Sequence, residues 1–457
     1  MRKKLLIVTT VPETLSIILR GQPSYLSSYF DTGIATSNGE HLLKIASQEN
    51  FTIWGKSPPT VSSCHKPIQI SNDTSIDMLV QSQSDFNFHQ FCHIVNMHRG
   101  ISPFKDLKSI WRMMQVIRMH KPDIVHSYTP KAGLVAMLAA FLCKTHIRIH
   151  TFTGLIFPTT ANWVKRNLLK AIDRLICFCA TQVVAEGQGV KKDLLKNHIT
   201  QKPISIIGNG NIAGIDTDYY DPSLPDITKA GHELLTSFSG SLSGSLAIPL
   251  AASDSTSNFS SLSLPHDLAL NNFVFLYLGR LNRDKGIKEL VQAFTQLPDN
   301  ACLLLAGDLD LTAPPDDETL HIINDHPRIH TLGFVQDIRG VMRACDVVVL
   351  PSYREGFPNV LLQAGAMQKP AIATNINGCN EIIVNEQTGW LLPPKDALAL
   401  KQAMQTSMQT SKETRESMGM AARQRIKRLY ERQPYLEILV KFYNDQLDLK
   451  LNHEKTV

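Results

Sequence analysis

The sequence lacks the cysteine patterns of metal sites and of disulfide frameworks. Its eight cysteines form no Cys-x-x-Cys pair and no cluster with histidine at zinc-ligand spacing. Cys177 and Cys179 fall in an apolar run with helical character. We therefore interpret the cysteines as reduced structural thiols, which are typical of a cytoplasmic protein.

Long hydrophobic runs are also missing, because no stretch reaches the roughly 18–20 uninterrupted apolar residues of a membrane-spanning helix. The basic start followed by the apolar residues 5–11 imitates a secretory signal. However, Pro12 and Glu13 break the run, and no small-residue cleavage pattern follows. We interpret the run as the buried first strand of an α/β domain and expect a soluble or peripheral protein.

The composition excludes a mostly disordered chain, since 43% of the 457 residues are hydrophobic and only 19% are charged. This length predicts about two or three domains. Residues 1–210 carry 24 Lys and Arg against 12 Asp and Glu, so the remainder is acidic although the net charge is +5. A basic half favours an anionic partner: a phosphorylated substrate, an acidic membrane face or nucleic acid. Nucleic acid is disfavoured because no interleaved aromatic platform or known motif accompanies the charge.

Short apolar runs alternate with helix-period segments through both halves, which predicts an α/β fold with two Rossmann-like domains. Their parallel sheets would face a central cleft, where open α/β sheets bind ligands. We place the N-terminal domain at 1–207 and the second domain at 208–428, with a Ser-rich insertion at 234–264. Residues 429–457 form a C-terminal helical segment that returns to the N-terminal domain. No internal repeat is evident.

The densest group of charged residues is GRLNRDKG at 279–286, which follows the strand-like run FLYL. Gly279 allows a sharp turn, and it places Arg280 and Lys285 at the carboxyl end of the strand. A guanidinium fork and an ammonium there can hold a diphosphate. An ordinary solvated loop is the alternative reading of these residues.

A second motif, PSYREGFPNVLLQAGAM at 351–367, follows the strand-like run DVVVL. Pro358 suits the first turn of a helix, whose unpaired N–H groups favour anions. Glu355 can accept hydrogen bonds from sugar hydroxyls. Gln363 lies two turns into the helix and can accept hydrogen bonds from the hydroxyls of a ribose. Alternatively, Glu355 only complements the helix dipole and Gln363 is a surface residue.

Together these motifs resemble the donor-binding domain of retaining nucleotide-sugar glycosyltransferases of family 4, which have the two-domain GT-B fold. The resemblance continues through LLLAG (303–307), LGFVQDI (332–338), TNINGCNEII (374–383) and TGWLLPPKD (388–396). In the first half, PDIVHSYTPKAG (122–133) and IHTFTG (149–154) are similar but less specific.

The resemblance implies roles for individual residues of the second domain. Arg280 and Lys285 would hold the donor diphosphate, and Glu355 would lie against the transferred sugar. The remaining donor-binding residues implied by it are Gly279, Gly356, Phe357, Pro358, Asn359 and Gln363. The family carries a glutamate where this chain has Gln363, which keeps an acceptor oxygen for the ribose but loses the charge.

On the acceptor and sugar side, many members place a histidine where this chain has Thr153. His126 or His150 would compensate, although both sit at strand ends where a core role is the simpler reading. Gly21 lies in the loop after the first strand. Because glycine has no side chain, an acceptor could approach the backbone of this loop closely.

We expect no metal and no cofactor beyond the nucleotide sugar itself. Asp308-Leu-Asp310 and Asp216-Thr-Asp218 match the DxD pattern that binds a metal in another glycosyltransferase fold. Such short matches arise easily by chance, and the cations at 280 and 285 supply the charge that a metal would.

Two segments, 104–121 and 162–178, carry apolar residues at helical spacing beside several Lys and Arg. Each is either an ordinary amphipathic helix packed on the sheet or a contact with an anionic membrane surface. The second reading would make the protein peripheral at the inner face of the cell membrane.

The resemblance implies transfer of a hexose from a nucleoside diphosphate sugar, with UDP as the favoured nucleotide, to a glycan or to a polyprenyl-diphosphate-linked glycan in envelope polysaccharide assembly. Two alternatives stay open. One is a nucleotide-sugar epimerase of the same architecture, which would need an acid and base pair that the motifs do not show. The other is an inactive nucleotide-sugar-binding subunit, suggested by the changes at Thr153 and Gln363.

Overall fold

The computed structural model describes residues 2–39, 42, 52–54, 90–98, 100, 102–160, 162–236 and 272–456. Apart from residues 234–236, the Ser-rich insertion lies outside the described residues, as does Cys64. The chain divides into two compact units, one of Met1–Gly214 with Gln433–Val457 and one of Ile215–Arg432. The divisions lie after Gly214 and Arg432, whereas the sequence predicts them after residues 207 and 428.

The first unit is built on a parallel sheet with the strand order β3-β4-β2-β1-β5-β6-β7-β8. Its strands are β1 Lys4–Val8, β2 Asp31–Thr36, β3 Thr52–Trp54, β4 Gln90–Ile94, β5 Ile124–Tyr128, β6 Ile147–Phe152, β7 Gln182–Ala185 and β8 Ile204–Ser205. The central strands β1, β2 and β5 are almost entirely buried. Burial on both faces explains why they read as continuous apolar runs.

Helices cover this sheet, and a π-helical turn at Thr14–Ile18 and a 3-10 turn at Phe157–Thr159 join its loops. The helices are α1 Gln22–Ser27, α2 Pro103–His120, α3 Pro130–Leu142, α4 Trp163–Cys179 and α5 Gln188–Lys196. The Asn162 side chain begins α4 by accepting a hydrogen bond from the Lys165 amide at 3.0 Å.

The second unit contains a parallel sheet with the strand order β11-β10-β9-β12-β13-β14. Its strands are β9 Phe273–Leu278, β10 Ala301–Ala306, β11 Ile329–Gly333, β12 Val347–Leu350, β13 Ala371–Thr374 and β14 Gly389–Leu392. Its helices are α6 Pro225–Thr236, α7 Ile287–Phe294, α8 Asp317–Asp325, α9 Arg339–Ala344, α10 Asn359–Ala366, α11 Cys379–Ile382, α12 Ala397–Gln409 and α13 Lys412–Tyr430. The prediction of two parallel-sheet α/β domains is confirmed.

The last helix, α14 (Arg432–Thr456), packs its apolar face into the core of the first unit. Tyr443 is fully buried there, and its hydroxyl lies 2.7 Å from Nδ1 of His126 on β5. The predicted helical C-terminus is therefore confirmed. Among the residues described, no helix has both the length and the apolar character needed to cross a bilayer.

Asp173, on the buried side of α4, makes stability depend on pH. Burial raises the pKa of this carboxyl to about 7, whereas an unfolded chain gives about 4. Folding therefore favours the protonated carboxyl. The contribution of Asp173 to the free energy of unfolding is lost as the pH rises from about 4 to about 7. We expect Asp173→Asn to raise the free energy of unfolding, with a gain that grows by roughly 2–3 kcal/mol between about pH 5 and pH 8. Urea titrations at both pH values measure it, and an equal gain at both would contradict the shifted pKa.

Candidate functional site

Both charged motifs of the second unit lie at one edge of its sheet. The segment 279–286 follows β9 and the segment 351–358 follows β12, and these two strands are hydrogen-bonded neighbours. Because the strands are parallel, their carboxyl ends meet at the same edge. Arg280, Lys285 and Glu355 are therefore brought together, although 70 residues separate the two members of the closest pair.

Two glycines shape the first loop. Gly279 has a φ of +147°, and a Cβ there would lie 3.0 Å from the hydroxyl of the buried Tyr277. The Tyr277 hydroxyl donates a hydrogen bond to the Arg280 carbonyl at 2.7 Å. Gly286 has a φ of +69°, and a Cβ there would lie 2.1 Å from the Pro351 carbonyl oxygen. Only glycine allows this contact, so the two loops are held against each other.

Lys285 and Glu355 form an ion pair across the two loops. The Lys285 ammonium donates to Oε1 of Glu355 at 2.5 Å, and the two side chains are only 23% and 12% exposed. The Asn282 side chain accepts a hydrogen bond from the Lys285 amide at 3.1 Å, which fixes the start of the lysine side chain. A ligand phosphate that binds Lys285 would therefore contact an ammonium group that already has Glu355 as its counter-ion.

Arg280 lies at the start of the same loop and forms an ion pair with Asp310. Its guanidinium donates to Oδ2 of Asp310, and more than half of the arginine side chain is exposed. Partial burial opposes ionisation of Asp310, but hydrogen bonds from Thr312 and Asn282 outweigh it and hold the pKa of this carboxyl below its ordinary value. The DxD match at 308–310 thus supplies a counter-ion to Arg280.

Further polar contacts fasten the loop that carries Glu355. The Tyr353 amide donates to the Asp284 carbonyl at 2.8 Å, and Nε of Arg354 donates to the Asp284 carboxylate at 3.0 Å. The Tyr353 hydroxyl donates to Glu289 on α7 at 2.6 Å. These contacts restrict the loop before any ligand binds, which lowers the cost of ordering it.

The segment Gly356–Asn359 leads into α10. Phe357 is buried against the ring of Tyr430 at 5.4 Å, so only its backbone is available to a ligand. Pro358 was expected in the first turn, but it precedes the helix with an extended ψ of 111°, and Asn359 is the first helical residue. That expectation was wrong by one position, because proline has no N–H to donate and fits equally well just before the first turn.

Gln363, on α10, is not free on the surface. Its Nε2 donates to the hydroxyl of Tyr220 at 2.9 Å, and burial raises the pKa of that tyrosine to about 12. Arg423 holds the Tyr220 backbone by donating to its carbonyl at 2.8 Å and to Asp221 at 3.1 Å. Because its NH₂ is engaged, Gln363 can present its carbonyl oxygen to a ribose. Tyr220 was not anticipated, since it belongs to no motif and lies 143 residues from its partner.

Tyr220→Phe tests this orientation of the glutamine. The variant keeps the ring but removes the group that holds the Gln363 amide, so we expect the KM for the nucleotide sugar to rise about 3- to 10-fold with little change in kcat. Tyr219→Phe is the matched control, because it retains the ring that lies 4.0 Å from the Arg339 guanidinium. An unchanged KM in Tyr220→Phe would show that Gln363 does not need this contact.

The two candidate histidines of the first unit, His126 and His150, are fully buried. His126 shares hydrogen bonds of 2.7 Å with Tyr443 and with Thr151, and His150 lies 2.8 Å from the Ser127 hydroxyl. Burial lowers the pKa of His150 to about 3, so it is neutral at physiological pH. Neither imidazole is exposed to a ligand in this structure.

The other two candidates of the first unit are accessible. Gly21 is exposed with a φ of +77° at the start of α1, and Thr153 is partly exposed just after β6. Thr129 follows β5, the strand that pairs with β6, and its backbone is strained with a φ of 74°. The Thr129 hydroxyl lies 2.6 Å from the hydroxyl of Thr10, which follows β1. Thr129 lies within the family-like segment 122–133, but nothing in the sequence indicated its contact with Thr10.

Two family models and several known proteins match this chain. The model described as "Glycosyltransferase Family 4" matches residues 81–212, and "Glycosyl transferases group 1" matches residues 272–410. The capsular polysaccharide biosynthesis glycosyltransferase CapM of Staphylococcus aureus is 28% identical over 360 residues, or 78% of this chain and 85% of CapM.

Two further proteins extend the comparison. The UDP-Gal:alpha-D-GlcNAc-diphosphoundecaprenol alpha-1,3-galactosyltransferase of Escherichia coli is 26% identical over 304 residues, or 65% of this chain and 69% of that enzyme. The solved structure of Anabaena HepE in complex with UDP matches with a TM-score of 0.66 at 16% identity, covering 97% of this chain and 100% of HepE. At that identity the likeness shows the fold, and the GT-B prediction is confirmed.

One family model thus falls on each half of the chain, and both relatives are glycosyltransferases. This chain carries a family 4 glycosyltransferase domain in its first half and a group 1 glycosyltransferase domain in its second, and it is a glycosyltransferase of the GT-B fold.

Proposed function

We propose that this enzyme transfers a hexose from a UDP-sugar to a hydroxyl of a polyprenyl-diphosphate-linked glycan during assembly of a cell-envelope polysaccharide. The observation that carries the proposal is the grouping of Arg280, Lys285 and Glu355 at the ends of β9 and β12. The names of the relatives support the substrates, since one is a capsule-synthesis enzyme and the other combines a UDP-sugar with a diphosphoundecaprenol-linked acceptor.

The cations at this edge suit the charge that develops as the donor reacts. When the bond between the anomeric carbon and the phosphate oxygen breaks, its electron pair stays on the diphosphate. Arg280 and Lys285 then bind the leaving group more tightly than they bind the intact donor, which lowers the barrier. Glu355 accepts hydrogen bonds from the sugar hydroxyls and keeps the ring in place while the anomeric carbon gains positive character.

No side-chain base is required in this proposal. The acceptor oxygen bonds to the anomeric carbon on the face that the diphosphate leaves, so the configuration is retained. Its proton passes to the departing phosphate oxygen, which becomes basic as the bond lengthens. The positive charges of Arg280 and Lys285 do not depend on a metal, so we expect turnover to persist in EDTA.

The proposed acceptor places the enzyme at a membrane surface. A polyprenyl chain stays in the bilayer, and only its diphosphate and sugars reach the water. The enzyme would therefore work as a peripheral protein on the anionic inner face of the cell membrane, and its basic first half suits that surface.

The test is a transfer assay with detergent-dispersed polyprenyl-diphosphate monosaccharides and a panel of UDP- and GDP-sugars, in EDTA. We expect mass spectrometry to find one extended lipid glycan together with an equal amount of free nucleoside diphosphate, and NMR to show a retained anomeric configuration. An isomerised nucleotide sugar without acceptor use would support the epimerase instead. Donor binding without any product, with transfer restored in Gln363→Glu, would support the inactive subunit.

A further inference from the structure

Three helices of the first unit lie side by side and expose apolar side chains. The middle helix α3 packs against both α2 and α4. On α4 the exposed apolar positions recur along one side of the helix, and Phe178 at its last turn is 66% exposed. The exposed large apolar residues of the three helices are Phe104, Leu107, Trp111, Met119, Phe141, Leu142, Trp163, Val164, Leu168, Leu175 and Phe178. We call this surface the three-helix face.

The apolar residues on the three-helix face are continuous between α3 and α4. The rings of Phe141 on α3 and Phe178 on α4 lie 5.6 Å apart, and Leu142 is exposed beside Phe141. Each of these helices already buries another side against the core of the unit, with Ile110 and Met113 on α2 and Ile176 on α4. Packing within the first unit therefore does not account for the exposed side, and an apolar patch of this kind marks an interaction surface.

The charges on the three-helix face have one sign. The helices α2 and α4 carry eight basic residues: Lys105, Lys108, Arg112, Arg118, Lys165, Arg166, Lys170 and Arg174. All residues of α2, α3 and α4 are described, and the three helices contain two carboxylates, Asp106 and Asp173. Both are buried, and Asp106 is paired with Lys131 at 2.8 Å. No negative charge on these helices opposes an anionic partner.

The edge of the face formed by α4 is fixed in position. Lys202 donates to the carbonyls of Cys177 and Phe178 at 2.7 and 3.1 Å, which satisfies the last turn of α4. Arg148 donates to the Cys179 carbonyl at 2.6 Å, and its guanidinium lies 5.6 Å from the centre of the Phe141 ring. Phe141 and Phe178 are thus held exposed by the fold.

We propose that the three-helix face docks on an anionic lipid bilayer, with the aromatic and aliphatic side chains of α2, α3 and α4 inserted among the headgroups and the flanking Lys and Arg pairing with lipid phosphates. Exposed aromatic residues beside basic ones are the composition of interfacial helices. A protein partner would also cover apolar residues, but helices that carry eight basic residues and no exposed carboxylate match the uniform negative charge of such a leaflet. The inference rests on the proposed function, because it supplies the contact that a lipid-linked acceptor requires.

The test is flotation of the full-length enzyme with vesicles of phosphatidylcholine, alone or with about a third of phosphatidylglycerol, at low and at physiological salt. We expect flotation with the anionic vesicles only. Leu168→Ser/Phe178→Ser should weaken binding by about tenfold or more, because each change removes an exposed apolar side chain from the interface. Lys165→Glu/Arg166→Glu should remove the preference for anionic lipid.

The matched control is Leu398→Ser/Met420→Ser, which removes two exposed apolar residues of the second unit and should leave flotation unchanged. Equal flotation of the Leu168→Ser/Phe178→Ser variant and the wild type would overturn the proposal, as would binding that is independent of anionic lipid. A dimer in sedimentation experiments that this variant converts to monomer would instead assign the face to a second copy of the chain.

Failure of the docking proposal can be told apart from failure of the proposed function. Donor binding and transfer to a detergent-dispersed acceptor need no bilayer, so they should be equal in the wild type and in the Leu168→Ser/Phe178→Ser variant. If transfer occurs but flotation does not, only the docking surface is wrong. If flotation occurs without transfer, only the proposed reaction is wrong.

Discussion

Arg280→Ala is expected to lower the turnover of sugar transfer by about 10²- to 10³-fold, the size of effect seen when one donor to a developing oxyanion is removed. The guanidinium stands exposed at the end of β9, and its partner in this structure is Asp310. A diphosphate can compete for the exposed guanidinium, and it does so best when negative charge has moved onto the leaving oxygen. Steady-state rates of nucleoside diphosphate release measure the effect, with kcat expected to fall more than the donor KM rises.

The matched control for this variant is Arg283→Ala, because Arg283 is exposed on the same loop and donates instead to the Pro314 carbonyl at 3.3 Å. We expect that control to retain nearly full turnover. Retention of more than about half of the turnover by Arg280→Ala would remove Arg280 from the reaction, given the loss expected for an oxyanion donor.

Glu355→Gln is expected to lower kcat/KM for the donor by about 10²-fold. The change keeps an oxygen acceptor for the sugar hydroxyls but removes the charge that strengthens those hydrogen bonds. It also leaves Lys285 without its counter-ion in a loop where the lysine is only 23% exposed. Because the two groups form one pair, adding Lys285→Met should lower kcat/KM by much less than the sum of the separate effects.

Glu289→Gln is the control for the carboxylate, since Glu289 accepts from Tyr353 at 2.6 Å and glutamine can do the same. Its kcat/KM should match that of the wild type. Additive losses in the Lys285 and Glu355 variants would show that the two side chains act separately and would contradict the paired site.

The parts of the site that could be predicted from sequence are those in which a strand and its loop are consecutive. GRLNRDKG follows β9 and PSYREGFPN follows β12, and parallel strands place both loops at one edge. The strands themselves are buried apolar runs, so their alternation with helices also revealed the fold. Distant partners carried no such signal: neither Tyr220 beside Gln363 nor Tyr443 beside His126 belongs to a pattern.

Burial and partner choice also lay beyond the sequence. The DxD match at Asp310 gave no sign that the carboxylate faces Arg280, because that contact depends on how the loop after β10 turns. The periodicity of α2 and α4 predicted helices, but it could not show which of two apolar sides meets the core. Only the structure shows that Trp163 and Phe178 stay exposed while Ile176 is buried.

Calorimetric titration of UDP, GDP and their sugars into the enzyme in EDTA tests whether the donor binds at Arg280 and Lys285. We expect one nucleotide to bind the wild type and the Arg283→Ala variant equally, and to bind Arg280→Ala and Lys285→Ala at least about tenfold more weakly, since each of these two loses a charged contact to the diphosphate. If no nucleotide binds, or if Arg280→Ala and Lys285→Ala bind as tightly as the wild type, the donor site is not at the ends of β9 and β12.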